Sequence, residues 1–122
     1  MRTLYEGKKS DIRATDAAWK AWQQARAQVP GNQSQCEAQL IARLQTLADR
    51  DHLPIPKALS REGDGIQAVK AHCGLRAYGW FTSDSKGKKL FIIAHAVMKK
   101  QDKALKQDLD RVKAERQKIE GK

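Results

Sequence analysis

Four basic side chains, Lys70, Arg76, Lys99 and Lys100, lie at the ends of three strand-like runs in the second half of the chain. Arg76 follows Gly74 at the start of one run, where a guanidinium can offer two parallel donors to a phosphate. Lys70 ends the preceding run, across a short turn. Because a small sheet holds such groups rigidly, we predict that they form a phosphate site and that the ligand is RNA.

Two further groups near this turn are candidates for proton transfer and base recognition. His72 lies in a polar turn, and an unperturbed histidine titrates near physiological pH, so it is the accessible acid-base candidate. Tyr78 lies in the central run, where an exposed ring would stack on a base. His95 lies in an apolar run, and its face depends on the register of the strand. For His95 we favour a packed, hydrogen-bonded role over catalysis.

Other basic residues extend the predicted RNA surface. Lys57 and Arg61 precede the first run and would line the rim of the site, and Lys103 follows the last run. Each of these charges alone is more often a solubilising group than a ligand contact. Their clustering with Lys70 and Arg76 is what favours a common function.

The sequence lacks the motifs of several familiar chemistries. It contains no glycine-rich phosphate loop, no paired-cysteine zinc pattern, no nucleophile elbow and no His-Glu-x-x-His motif. We therefore expect no metal and no cofactor. RNA cleavage needs few protein groups, because the 2′-hydroxyl attacks the adjacent phosphate while the protein orients the backbone and moves protons.

The charge balance also favours a polyanionic partner. The 122 residues include 24 Lys and Arg against 14 Asp and Glu, a formal charge of +10. Ribosomes, mRNA, DNA, an acidic protein and an anionic membrane surface would all attract such a chain. A chain of this length fits one domain, which we predict to span residues 1–122.

The cysteines and the apolar runs bear on location. Cys36 and Cys73 are too few for a disulfide framework, and we interpret both as reduced thiols. No run approaches the roughly 18 apolar residues of a membrane span, and the first ten residues do not resemble a signal peptide. We therefore expect a cytoplasmic protein with no membrane association.

The first half of the chain is predicted to be one weak strand and two helices. Arg2 to Tyr5 is a short strand candidate. A helix begins at Thr15 or Asp16, either of which can cap it, and ends at Pro30-Gly31. A second helix begins near Ser34, which has the spacing of a capping box with Glu37, and ends before Leu53-Pro54-Ile55-Pro56. The two should form a hairpin, with Trp19 and Trp22 anchoring it on the sheet.

The second half is predicted to be three strands and a helix. Ile66 to Ala71, Leu75 to Thr82 and Lys89 to Ala96 alternate or run apolar between turn residues, which favours antiparallel hairpins. Residues 101–122 carry an apolar stripe among many charges, typical of an amphipathic helix. The predicted fold class is α+β, a small twisted antiparallel sheet with an N-terminal helix hairpin and a C-terminal helix, in the order β-α-α-β-β-β-α.

This order of pieces resembles the RelE/HigB-like toxins of bacterial toxin-antitoxin modules, including their phage-derived relatives. The resemblance covers roughly Leu44 to Val112. It rests on the helix hairpin followed by a set of short segments: Lys57-Ala58-Leu59-Ser60, Val69-Lys70, Gly74-Leu75-Arg76-Ala77-Tyr78, and the apolar strand that runs into Lys99-Lys100.

The resemblance implies a ribosome-dependent endoribonuclease that cuts mRNA and is held inactive by a cognate antitoxin. It implies that Arg76 contacts the reacting phosphate and that Lys70, Lys99 and Lys100 match the basic positions for the RNA backbone. Some members carry a tyrosine after the last strand, whereas no tyrosine follows Tyr78 here. Two alternatives stay open: a non-enzymatic toxin that inhibits gyrase, and a basic nucleic-acid-binding module.

Overall fold

The structure is a computed structural model that describes residues 1–29, 31, 33–55, 57–99 and 106–121, without the side chains of Gln33 and Ser34. The described part contains six strands and three helices. In chain order these are β1 (Arg2–Glu6), β2 (Ser10–Ala14), α1 (Asp16–Ala27), α2 (Gln33–Arg50), β3 (Leu59–Gly63), β4 (Ile66–Lys70), β5 (Leu75–Ser83), β6 (Lys89–Met98) and α3 (Lys106–Glu120). The α+β class is as predicted.

All six strands form one sheet in the order β1-β2-β6-β5-β4-β3. The sheet is mixed, because β2 runs parallel to β6 while every other neighbouring pair is antiparallel. The prediction of a purely antiparallel sheet was therefore wrong. So was the strand count, since β2 and β3 were not predicted. Both are short, and residues that are depleted in strands precede them: Lys8 and Lys9 before β2, and Pro54 and Pro56 before β3.

The helices pack on both faces of the sheet. The buried side chains of α1 and α2, including Trp22 and Leu40, join Val69 and Ile93 in a core on one face, which we call the hairpin face. On the other face, which we call the α3 face, Val112 packs with Tyr78, Trp80 and other strand residues. The helices thus bury the apolar residues that alternation along the strands divides between two sides.

Capping explains where α1 begins. Thr15 is extended, and its Oγ1 accepts a hydrogen bond from the backbone N–H of Ala18 at 3.0 Å, which confirms one of the two predicted caps. The backbone N–H of Thr15 donates to the carbonyl of Ile93 at 3.0 Å. Strand β2 pairs with β6 only as far as Ile93, so α1 starts where that pairing stops and lies beside the rest of β6.

Strand β6 contains a bulge that sets which side chains face α3. Tyr78 lies opposite His95, but the next residue, Gly79, lies opposite Ile93, so Ala94 has no partner on β5. Without this extra residue, His95 would share the hairpin face with Ile93. The bulge instead directs His95 to the α3 face.

The two cysteines are bonded to each other. Cys36 near the start of α2 and Cys73 in the turn between β4 and β5 form a disulfide with their Cα atoms 5.9 Å apart, a usual separation for such a bond. The prediction of two reduced thiols was therefore wrong. The 37-residue separation hid the pairing, because the two residues meet only when α2 packs on the sheet.

Candidate functional site on the α3 face

Lys70 and Arg76 are direct cross-strand partners at the same end of the sheet. They pair between β4 and β5 and share the α3 face, as the predicted phosphate site requires. The turn that joins them needs Gly74, whose φ is 102° and whose position leaves no room for a Cβ beside the carbonyl of Lys99. Lys70 is half-buried, whereas Arg76 is only 3% exposed. In this conformation Arg76 is therefore too buried to contact RNA directly.

Of the residues predicted around this pair, Lys57 lies near it and Arg61 does not. Lys57 is exposed and adjoins Ala58, whose carbonyl accepts from the Lys70 N–H at 2.9 Å, so it lies at the same end of the sheet. Arg61 is exposed but pairs with Gln67 on the hairpin face, away from Arg76. The two-residue alternation of β3, which sequence analysis did not identify, places it there.

His72 is exposed in the turn between β4 and β5, as predicted. Its backbone N–H donates to Oε1 of Gln39 at 2.6 Å, which fixes the turn against α2 beside the Cys36–Cys73 bond. The structure thus places His72 at the end of the sheet that carries Lys70 and Arg76.

Tyr78 is fully buried, so the prediction that it stacks on a base was wrong for this conformation. Burial raises the pKa of its hydroxyl, while the nearby Arg76 guanidinium acts to lower it; the charges of Asp108 and Glu62 add to the increase. Tyr78 is therefore protonated at neutral pH. Arg76, Asp108 and Glu62 make the surroundings of Tyr78 polar, although Tyr78 itself is buried.

A chain of three polar side chains joins the end of β6 to α3. Nε2 of His95 lies 3.1 Å from Oδ1 of Asp108, and Nζ of Lys99 lies 2.5 Å from Oδ2 of the same carboxylate. All three side chains are more than nine-tenths buried. Lys99 thus binds Asp108 and is not exposed to RNA, contrary to the prediction. Lys100 and Lys103 lie outside the described residues.

The protonation states of this chain follow from its contacts. Burial acts to raise the pKa of Asp108, but the hydrogen bonds from Lys99 and His95 outweigh it and lower that pKa below its usual value. Burial lowers the pKa of His95, against the raising effect of Asp108. At neutral pH Asp108 is ionised and His95 is neutral, with its proton on Nε2 facing the carboxylate. Nδ1 then carries a free lone pair.

Two acidic residues of this region, Asp108 and Glu62, were missed by sequence reasoning. Asp108 had a signal, because it precedes Val112 by four residues and so lies on the buried stripe of α3. Glu62 lies in unpredicted β3, where its Oε1 accepts from Oγ of Ser60 at 2.6 Å. The structure confirms that His95 is packed and hydrogen-bonded, while the preference for this role over catalysis stays a prediction.

A separate apolar pocket of about 240 Å³ lies on the hairpin side, between the β1–β2 hairpin, α1 and α2. Trp19 and Trp22 form part of its wall, with ring centroids 6.0 Å apart. Nε1 of Trp22 donates to Glu37 at 2.8 Å, and Arg26 lies 3.3 Å from the same carboxylate. These contacts join α1 to α2, and Trp22 anchors the helices on the core as predicted.

Comparison with protein-family models, with curated proteins and with solved structures found no match. No helix in the described part of the chain is both long and apolar enough to cross a membrane. Within the same residues, no three His, Cys, Asp or Glu side chains are grouped to hold a metal ion. The polar residues of the α3 face are therefore the basis for inferring function.

Proposed function

We propose that the protein is a RelE/HigB-like toxin of a type II toxin-antitoxin module that cuts mRNA on the ribosome. The observation that carries the proposal is the cross-strand pair of Lys70 and Arg76 on one face of the sheet. Lys57 extends this pair at the same sheet end, and the chain has a formal charge of +10. Clustered cations on a rigid sheet are what a protein needs to hold an RNA backbone.

The chemistry follows from RNA itself. Attack by a 2′-hydroxyl on the neighbouring phosphate adds negative charge to the phosphoryl oxygens, and fixed cations stabilise that charge. In the proposed reaction, Lys70 and Arg76 are these cations. Since Arg76 is almost fully buried, the proposal requires that mRNA or the ribosome expose its guanidinium when the complex forms.

The proposal implies three partners and a place of action. Ribosomes and mRNA are the targets, and a cognate antitoxin binds the protein when it is inactive. These partners are found in the cytoplasm, where we propose that the protein acts. Thiols are kept reduced there, so the Cys36–Cys73 bond is not part of the proposed activity.

The burial of Arg76 and Tyr78 favours a second candidate, a non-enzymatic member of the same superfamily that inhibits gyrase. A basic nucleic-acid-binding module without toxicity is the third candidate. In either case the exposed Lys57 and the half-buried Lys70 bind a partner without catalysing a reaction, and the buried polar residues stabilise the fold.

Primer extension on a defined mRNA in a cell-free translation reaction tests the proposal. The wild-type protein should produce discrete cuts that disappear when ribosomes are left out. Lys70→Ala and Arg76→Ala should weaken the cuts strongly. Lys86→Ala removes an equal charge from the exposed β5–β6 turn at the opposite end of the sheet, and it should cut like the wild type.

Thermal melts of the same variants separate activity from folding, because Arg76 is buried and its loss is expected to lower stability. Lys70→Ala, at a half-buried position, is the cleaner test. If the mRNA stays intact when the wild-type protein is in excess over ribosomes, the proposed endoribonuclease activity is excluded. Inhibition of DNA supercoiling by the same sample would then support the gyrase alternative.

A further inference from the structure

A groove runs between α1 and α3 along the second half of β6. Its two adjoining parts have volumes of about 490 and 200 Å³, and His95, Gln24, Ala21 and Arg111 contribute to both. The wall on the α1 side is formed mainly by alanines and glutamines, which mix small apolar groups with polar amides. We call it the α1–α3 groove.

The groove exists because β2 is short. β2 pairs with β6 only up to Ile93, and α1 lies beside the rest of the strand in place of a further strand. The bulge at Ala94 lies at the same point of β6. Bulges are common next to active sites, where they redirect a side chain. Here the redirected side chain is His95, which becomes part of the groove wall.

His95 is held in one orientation by Asp108. The 3.1 Å contact from Nε2 to Oδ1 fixes the ring and its tautomer, and the 2.5 Å contact from Lys99 keeps the carboxylate ionised. Nδ1 is the ring nitrogen left to act on a bound molecule. The His95 side chain is only 7% exposed, so RNA must open the groove around the ring to reach Nδ1, just as it must expose Arg76. A neutral imidazole oriented by a buried carboxylate is the arrangement of a general base.

Cations outnumber acids among the residues that line the groove. Lys20 on α1 and Arg111 and Lys118 on α3 line it, against two acids, Asp108 and Glu115, of which Glu115 lies 3.7 Å from Lys118. Arg111 is one helical turn beyond Asp108, and its charge acts on His95. A phosphate next to a hydroxyl would meet these cations and a base together in this groove. Arg76 does not line the groove, but it acts on the hydroxyl of Tyr78, the cross-strand partner of His95, so the cations of the proposed function adjoin it.

We propose that the α1–α3 groove binds the RNA strand and that His95 is the general base for its cleavage, with Asp108 as the positioning residue. This inference rests on the proposed function and names the base that the function needs. The proton of a 2′-hydroxyl moves to Nδ1 while the 2′-oxygen bonds to phosphorus. The bond from phosphorus to the 5′-oxygen breaks, and that oxygen takes a proton from water. His95 then releases its proton to solvent, which leaves a 2′,3′-cyclic phosphate and a 5′-hydroxyl.

Charged and titratable groups face His95 from several elements. Tyr78 on β5 stacks on its ring, Asp108 and Arg111 approach from α3, Lys99 follows β6, and Lys20 lines the groove from α1. The cations oppose protonation of the ring, whereas Asp108 favours it. The cutting rate should therefore fall as the solution is acidified below neutrality and His95 takes up a proton.

Cleavage by variants is the first arm of the test. In the ribosome assay, His95→Gln should lower the rate about 10²- to 10⁴-fold, the usual contribution of a general base. It should also abolish the acidic limb of the rate profile. Asp108→Asn should lower the rate and disturb the tautomer of His95, and Lys86→Ala should do neither. A 2′-deoxy nucleotide at the cut site should prevent cleavage.

Nitrogen NMR of histidine-labelled wild-type protein is the second arm, and it does not depend on a variant folding. A short single-stranded RNA should shift the Nδ1 resonance of His95, whereas inorganic phosphate and DNA of the same sequence should leave it in place. Cutting that survives His95→Gln with its acidic limb intact would overturn this proposal and leave the toxin function standing. If the wild type cuts nothing, the toxin function fails, and an unshifted His95 would overturn the groove as an RNA site too.

Discussion

Tyr78 and His95 lie directly opposite each other on β5 and β6, with ring centroids 6.3 Å apart and ring planes 18° from parallel. The two rings share a face only because Ala94 is an extra residue in β6. Phe91 and Ile93, which precede it, alternate onto the opposite face. One bulged residue thus determines whether the histidine lies in an apolar core or beside Asp108.

Replacing Gly79 should disturb this bulge. A Cβ at Gly79 would collide with the backbone carbonyl of Ile92 and crowd the ring of Phe91 at 3.1 Å. We expect Gly79→Ala to lower the free energy of unfolding by about 3 kcal/mol or more, at the upper end for overpacking. Urea unfolding measures this loss. Gly87→Ala is the comparison, because Gly87 has a φ of 86° but open space around it and should cost only about 1–2 kcal/mol. Equal losses in the two variants would contradict the collision.

Stability should decrease as the solution becomes acidic. Burial lowers the pKa of folded His95, so below about pH 6.5 the unfolded chain binds a proton that the folded chain resists. The stabilisation is complete above that pH and is lost as the pH falls through the folded pKa. Asp108 acts in the same direction below about pH 4, because its folded pKa is also lowered.

Melting temperatures of wild type and His95→Gln across this range test the assignment. The variant should lose the part of the decline that begins near neutrality and keep the part at lower pH. His52→Gln replaces an exposed histidine and should follow the wild-type curve. A wild-type curve that stays level from pH 7 to pH 5 would rule out a neutral, buried His95.

Reducing the Cys36–Cys73 bond should lower stability without removing the proposed activity. By the chain-entropy account, a closed loop of this length stabilises the fold by about 3–4 kcal/mol. Melts with and without reductant measure the difference, and Cys36→Ala/Cys73→Ala should melt low in both conditions. We expect this double variant to cut mRNA as the wild type does. Loss of cutting at a temperature where it is folded would place the bond within the active protein.

Trp22 should be a major contributor to the core. It is 2% exposed and fills space between α1 and the sheet, so Trp22→Ala should cost about 3–5 kcal/mol. The same change leaves Glu37 without the indole N–H that it accepts at 2.8 Å. Trp22→Phe keeps an aromatic ring and should cost clearly less. Denaturant unfolding gives both values, and a cost below about 1 kcal/mol for the alanine variant would show that the site collapses without loss.

The helices and the strands β4, β5 and β6 were predictable because their patterns are local. Thr15 caps α1, and the apolar residues of β4, β5 and β6 lie between recognisable turns. Strand β3 escaped because its sequence, Leu59–Gly63, contains two charged residues and a glycine and shows no alternation. Strand β2 escaped because it is stabilised by a partner near the other end of the chain.

The candidate site was predictable only in part, for the same reason. The pairing of Lys70 with Arg76 follows from a short hairpin, so sequence reasoning could place the two together. The position of His95 depends on a bulge that no local pattern indicates, and its contact with Asp108 depends on how α3 crosses the sheet. The burial of Arg76 and Tyr78 likewise depends on how the helices pack on the sheet.

The parallel pairing of β2 with β6 has a consequence for how the chain folds during synthesis. Ile12 lies beside Phe91, so the N-terminal hairpin has no place in the sheet until nearly the whole chain has left the ribosome. Contacts between such distant segments slow folding, because a long loop must close before they form. We expect a nascent chain that stops before Lys89 to keep β2 unpaired and open to proteases, whatever helices it has already formed.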